Sequence, residues 1–334
     1  MIDSATIDNR KQYYLYAGRE FHRPLMVVVG LMVVLAAAAI TGLVVDDRVL
    51  LGVPIWEKPL KFALSFILYG TVLALLIPLL NRAKRLANVC GNVIAITWII
   101  EMVIIVGQVI RGRASHFNGT TPFDAALFTT MGVVVAVLWF ANLVIAILLW
   151  RHTFADRALG WSVRLGVTIA LLGAAIGAMM TGPRDDLPAD LVGAHTVGLA
   201  DGGPSLPFVG WSSVGGDLRI GHFVGMHALQ VLPLVAVVLA LLARRLPRLA
   251  SPQLRTRLVA VASAGYLGLT ILVTWQALRA EPLHRPSETI LIAGSAMVIA
   301  VLVATAVALR RSSQGRSQTR PKDVDRKPLT RTGG

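Results

Sequence analysis

The sequence predicts an all-α, polytopic membrane protein: a bundle of about eight transmembrane helices with both termini in the cytoplasm. Three observations carry that prediction. The 334 residues are 55% hydrophobic and only 15% charged, too little charge for a soluble domain of this length. Apolar runs of about 20 residues recur along the chain, the length an α-helix needs to cross about 30 Å of hydrocarbon. No period-two alternation appears, and within lipid only helices or closed barrels satisfy their own backbone.

Residues 1–24 form a polar, basic N-terminal segment with Arg10, Lys11, Arg19 and Arg23. The apolar run behind it is long enough to span, so no cleavable signal is evident. Spans are expected near 25–45, 62–80, 89–110, 125–150, 163–181, 220–243, 258–278 and 289–309, one transmembrane domain over 25–309. Thr121-Pro122-Phe123-Asp124 reads as an N-cap, a Pro at the first helical position and an acid in the first turn. Ser287-Glu288 opens the last span in a similar way. Gly173 and Gly177 give the fifth span a GxxxG face, which suits internal packing more than dimerisation. The stretch 182–219 is the longest loop, and its Gly, Pro and Asp content predicts an exposed outer segment that could cover whatever the helices enclose. Residues 310–334 are polar and basic, and are expected to be a disordered tail that touches anionic lipid. No internal repeat or broken-helix pair stands out, which argues against an inverted-repeat transporter.

Orientation follows from charge. With eight spans, 23 of the 32 Lys and Arg residues fall on the side of the termini and 9 on the other. The positive-inside rule then places both termini in the cytoplasm of a multi-pass protein of the cell membrane, the inner membrane if the source is bacterial. The net charge of +14 sits in short loops and the tail rather than on one face of a domain, so the partner it implies is the lipid bilayer and not nucleic acid. Cys90 is the single cysteine, which excludes an intramolecular disulfide and any Cys-rich metal or iron–sulfur site.

The candidate functional residues gather toward the outer side. Arg219–Pro233 leads from the long loop into the sixth span and carries His222, His227 and Gln230. On a continuous helix His227 lies about 140° from His222, with Gln230 between them at about 80°. One face of an apolar helix is therefore polar, the pattern of a wall around an internal site. His116, His195 and His284 also fall on the outer side, whereas His22 and His152 are cytoplasmic. Arg111, Arg113, Ser115, His116 and Asn118 cluster directly after the third span, and two outer Arg run against the charge bias, which favours a role in holding an anion or carboxylate. Glu101 lies near the middle of the third span with Gln108 two turns outward, and an ionisable residue at that depth is a functional candidate. By helical rise Glu101 and His227 lie level and could face one another. The bland alternative is a neutral Glu101 acting as interhelical glue, in which case Glu101→Gln would be almost silent. Lys58 and Lys61 open the second span beside Glu57. They could pair with it, bind lipid phosphate or point into the site, and snorkelling lysines are common at such places.

Three stretches, WEKPLKF at 56–62, the run ending in RGRASHFN at 111–118, and HFVGMHALQ at 222–230, resemble motifs of a family of bacterial multi-spanning membrane proteins of unassigned function. The resemblance covers the second, third and sixth spans and implies no activity or catalytic residue.

Four functions fit these residues. Histidines from different helices could ligate haem b, with His116 and either His222 or His227 as the axial pair; no CxxCH accompanies them. His116, His222 and His227, with Glu101 and Asp124, could serve a zinc hydrolase, although HExxH is absent. A transporter would use Glu101 as its titrating group and Arg111, Arg113, Lys58 and Lys61 to attract a small anionic solute. A non-catalytic scaffold would use the polar residues as glue. An outward-facing ligand or cofactor site ranks first, without deciding whether it is enzymatic.

Overall fold

The computed structural model describes residues 21–182 and 191–317. Most of the N-terminal segment, 183–190 within the long loop and the tail beyond 317 lie outside the described residues. So do the expectations of tail disorder and of lipid binding there.

Nine α-helices are present among the described residues: α1 (Arg23–Val45), α2 (Glu57–Leu76), α3 (Lys84–Arg111), α4 (Pro122–Arg151), α5 (Arg157–Ile176), α6 (Leu218–Met226), α7 (Ala228–Leu242), α8 (Pro252–Leu278) and α9 (Glu288–Ser317). Seven, with their short 3-10 extensions, are long and apolar enough to cross a membrane. The pair α6 and α7 passes the same test together but bends by 44° at a break. The chain is thus an all-α polytopic bundle with up to eight spans.

The helix ends follow from local chemistry. The Thr121 hydroxyl caps α4 by accepting from Asp124 N at 3.1 Å, as the sequence suggests. Asp156 caps α5 through Leu159 N at 2.9 Å, and Asp217 caps α6 through Arg219 N at 3.0 Å. Gly112, at φ 67°, ends α3 in the left-handed conformation while Arg113 N donates back to Gln108 O at 2.9 Å, a C-cap that favours glycine. Two expectations need correction. Ser287 does not cap α9: its buried hydroxyl lacks a hydrogen-bond partner, and its N–H donates to Glu281 Oε2 at 2.9 Å. Helix α9 also continues to Ser317, past the expected end at 309. No proline or glycine occurs from Arg310 to Gln314, and basic residues suit a C-terminal turn.

The sixth span is not one straight helix. Pro233 cannot donate to the Leu229 carbonyl, and Gly221 and Gly225 weaken the segment before it. The break falls between them at His227, so the single-helix angle between His222 and His227 does not hold, and a broken span exists where none was evident.

Helix α1 packs on α2 and α3, and α3 on α4. Helix α5 is the hub, touching α4, α6, α7 and α8, while α9 leans on α8. One continuous apolar core runs from Leu25 and Met32 through Leu73, Ile94, Ile105, Ile145 and Val167 to Leu229. Outward-facing Val34, Val103 and Leu302 remain exposed, as lipid-facing positions do.

One end of the bundle, the loop face, gathers the C-termini of α1, α3, α5 and α8 with the N-termini of α2, α4, α6 and α9. Two short antiparallel ladders lie there, β1 (Val49–Leu50) with β2 (Val53–Pro54), and β3 (Thr196–Val197) with β4 (Gly216–Asp217). The long loop is more embedded than its composition suggests: Ala194, Thr196, Ser212 and Asp217 are buried.

Candidate functional site

The loop face first uses up several candidates in structure. Arg111 Nη1 lies 2.7 Å from Asp124 Oδ1, and Gln108 donates to the same oxygen at 2.9 Å while accepting from Arg111 at 2.5 Å. These groups lock α3 to α4 and are not free to grip a solute. Arg113 is exposed at the start of the following turn. Lys61, not Lys58, pairs with Glu57, at 2.8 Å, and also donates to Val209 O at 2.9 Å, anchoring the long loop to α2. Arg219 binds Asp217 and the Gly210 carbonyl.

What remains is a cluster whose groups are not spent. Lys58, in the first turn of α2, has no ion pair or hydrogen bond among the described residues; its ammonium stands 6.0 Å from the Phe62 ring centre. It interacts electrostatically with Glu101, Asp201 and Arg219. Glu101 is 2% exposed and its Oε1 has no hydrogen-bond partner. Both side-chain polar atoms of Gln230 are likewise buried and unpartnered; its amide lies near His227 without the geometry of a bond. A buried polar atom left unpaired costs about 1–3 kcal/mol, so the Glu101 oxygen and the Gln230 amide each point to a ligand or water that completes them.

Histidines border this cluster. His222 Nδ1–H donates to the Gly173 carbonyl at 2.8 Å, leaving Nε2 uncommitted. His227 Nε2 meets Ser65 Oγ at 3.4 Å, so His227 faces α2, and it forms no hydrogen bond with Glu101. His116 stands edge-on to Phe62 and Phe117 and tilted to Phe128, at centroid distances of 5.9, 6.1 and 6.3 Å. Burial holds its pKa well below the ordinary histidine value, and the Lys58 charge adds to this. His195, on the long loop, gives Nδ1–H to Asp201 Oδ2 at 2.5 Å and interacts electrostatically with Arg219 and Lys58. Burial lowers the His195 pKa against the pull of Asp201. Burial also acts to raise the Asp201 pKa, but the hydrogen bonds from His195 and Thr196 outweigh it and hold the carboxyl below its usual range.

Sequence reasoning named Lys58, Glu101, His116, His222, His227 and Gln230; electrostatic interactions link Lys58 to Glu101 and His116, His116 to His222 and His222 to His227, beside Gln230. It missed Asp201 and Ser65. His195-Asp201 is a six-residue contact inside a long loop, and a lone Ser in an apolar span carries no signal of its own.

The metal reading needs correction. Among the described residues no group of three or more His, Cys, Asp or Glu side chains is placed to hold a metal ion, so His116, His222 and His227 do not form a zinc site. Haem likewise draws no support from the contacts of His116, His222 and His227.

No known protein family, curated protein or solved structure matches this chain.

Proposed function

We propose that this multi-pass membrane protein binds a small polar ligand at the loop face, between α2, α3 and the broken α6–α7 span. The observation that carries the reading is the combination of an unpaired Lys58 ammonium, a buried Glu101 with an unpartnered oxygen, and a Gln230 amide with no partner. Interhelical glue would pair such groups with one another or with backbone, as Arg111, Gln108 and Asp124 do. His116, His195 and His222 supply further donors and acceptors around the ligand.

A second reading, transport of that ligand, is favoured by the 44° bend at His227. Discontinuous helices beside a buried polar site are a recurring feature of secondary transporters. Glu101 would then carry the proton that couples to movement. With the positive-inside count, the loop face looks outward.

Native mass spectrometry and thermal-shift screening of the purified protein in mild detergent test the proposal. A small-molecule adduct or a ligand-dependent rise in unfolding temperature is expected, and Lys58→Gln or Glu101→Gln should remove it. A protein that neither carries nor responds to any of a broad panel of small acids, amines and zwitterions does not bind as proposed. Uptake into proteoliposomes, driven by an imposed proton gradient, separates transport from binding alone.

A further inference from the structure

The charges at the loop face specify more than polarity. Lys58 and Glu101 are ionisable groups of opposite kind that interact electrostatically, yet they form no ion pair. In a medium of low dielectric two such groups gain several kcal/mol by meeting, and a lysine stem is long and flexible. The two side chains attach at different depths. Lys58 belongs to the first turn of α2, at the loop face. Glu101 lies ten residues before the end of α3 at that face, a depth of about 15 Å by helical rise.

Resting on the ligand-binding reading above, we infer that the ligand is zwitterionic, with its anionic group on Lys58 and its cationic group on Glu101. A monoanion would satisfy Lys58 and leave a buried carboxylate opposed to it; a monocation would do the reverse. A molecule that carries both charges completes both residues at once and adds no net charge to the membrane interior, where net charge is costly. Gln230, with a free donor and acceptor, can serve either group.

The same chemistry occurs in free solutes such as amino acids and betaines, and in the headgroups of phosphatidylcholine and phosphatidylethanolamine. The test uses the full chain in detergent, with glycine betaine and γ-aminobutyrate as zwitterions, propionate as monoanion and tetramethylammonium as monocation. At least one zwitterion should bind on the order of tenfold more tightly than either singly charged probe. Lys58→Gln should erase its advantage over the monocation, and Glu101→Gln its advantage over the monoanion. If only phosphatidylcholine mixed into the micelles binds, and Lys58→Gln and Glu101→Gln both weaken it, the zwitterion is a headgroup; if the free probes bind, it is a solute. Propionate binding as tightly as every zwitterion, unaffected by Glu101→Gln, would overturn the inference and leave the binding site standing. Binding by none of the probes or lipids would also overturn the inference, and the broader panel then decides whether the site binds at all. The wild-type comparison of the four probes decides the matter even where a variant fails to fold.

Discussion

Arg111 closes onto Asp124 across the junction of α3 and α4, with Nη1 and Oδ1 2.7 Å apart. The Asp124 side chain is fully buried, whereas that of Arg111 is 39% exposed. Gln108 and Thr121 also bind the carboxylate, at 2.9 and 2.8 Å. The two partners are therefore unequal. Asp124→Ala strands the Gln108 amide and the Arg111 charge together and should cost about 3 kcal/mol. Arg111→Ala leaves a carboxylate still held by Gln108 and Thr121 and should cost about 1 kcal/mol. Thermal unfolding in detergent should rank Asp124→Ala well below Arg111→Ala. The opposite order would mean that Arg111, not Asp124, is the centre of the junction.

Gln230 offers a trade between stability and function. Both of its polar atoms are buried and unpartnered next to the break in the sixth span. Replacing it by Leu, of similar volume, removes the unmet polar groups and should stabilise the ligand-free protein by about 1–2 kcal/mol. The same substitution should weaken ligand binding. A Gln230→Leu variant that melts earlier than wild type would show that the amide has a structural partner, and would remove it from the proposed site.

Fold class was legible in the sequence because lipid imposes a simple code: long apolar runs must be helices, and eight were counted where seven helices and one broken pair occur. The break at His227 was harder to read. Pro233 is visible, but a proline six residues downstream does not say where a helix will yield until its packing is known. The site was legible residue by residue and not by role. Charge bias singled out Arg111, Arg113, Lys58 and Lys61 equally, yet Arg111 and Lys61 meet partners supplied by folding, Asp124 across a loop and Val209 O from a distant segment, and Arg113 stays at the surface. Lys58 alone of the four lies at the inner side without an ion pair among the described residues. Which of several loop-face cations is spare depends on tertiary pairing, which spacing along the chain does not encode.

The long loop should loosen as pH falls. Asp201 is held below the usual carboxylate range, so its contribution is present above about pH 4 and lost as pH falls through its folded value. His195 and His116 are kept neutral by burial, with folded pKa values below the ordinary histidine value. For these groups the folded state loses stability as pH falls below about 6.5. Lys58 opposes a new imidazolium at both positions and Arg219 opposes it at His195, where the Asp201 carboxylate works the other way. Hydrogen-exchange protection of 195–217, taken relative to the intrinsic rate at each pH, should fall between about pH 6.5 and 5, and the histidine part of that change should shrink in His195→Gln. Protection that is constant across this range would show that the loop does not sense these imidazoles.

The approach of α5 to α6 sets the position of His222, and glycine makes it possible. A Cβ at Gly173 would run into the backbone of Gly225 and Met226, and one at Gly177 would come within 3.0 Å of the His222 ring. Because backbone cannot rotate aside as a side chain does, Gly173→Ala must push the helices apart, at a cost of about 1–3 kcal/mol. It also pulls the Gly173 carbonyl from His222 Nδ1, now 2.8 Å away, and so turns the imidazole. Gly132 in α4 is the matched control: it is exposed and no atom lies within 4 Å of its Cβ position. Alanine there should be neutral or stabilise by up to about 1 kcal/mol. Unfolding temperature and ligand affinity, measured on both variants, should fall for Gly173→Ala and hold for Gly132→Ala. Equal behaviour of the two would mean that α5 and α6 can separate without disturbing the site, and His222 would then have no fixed part in it.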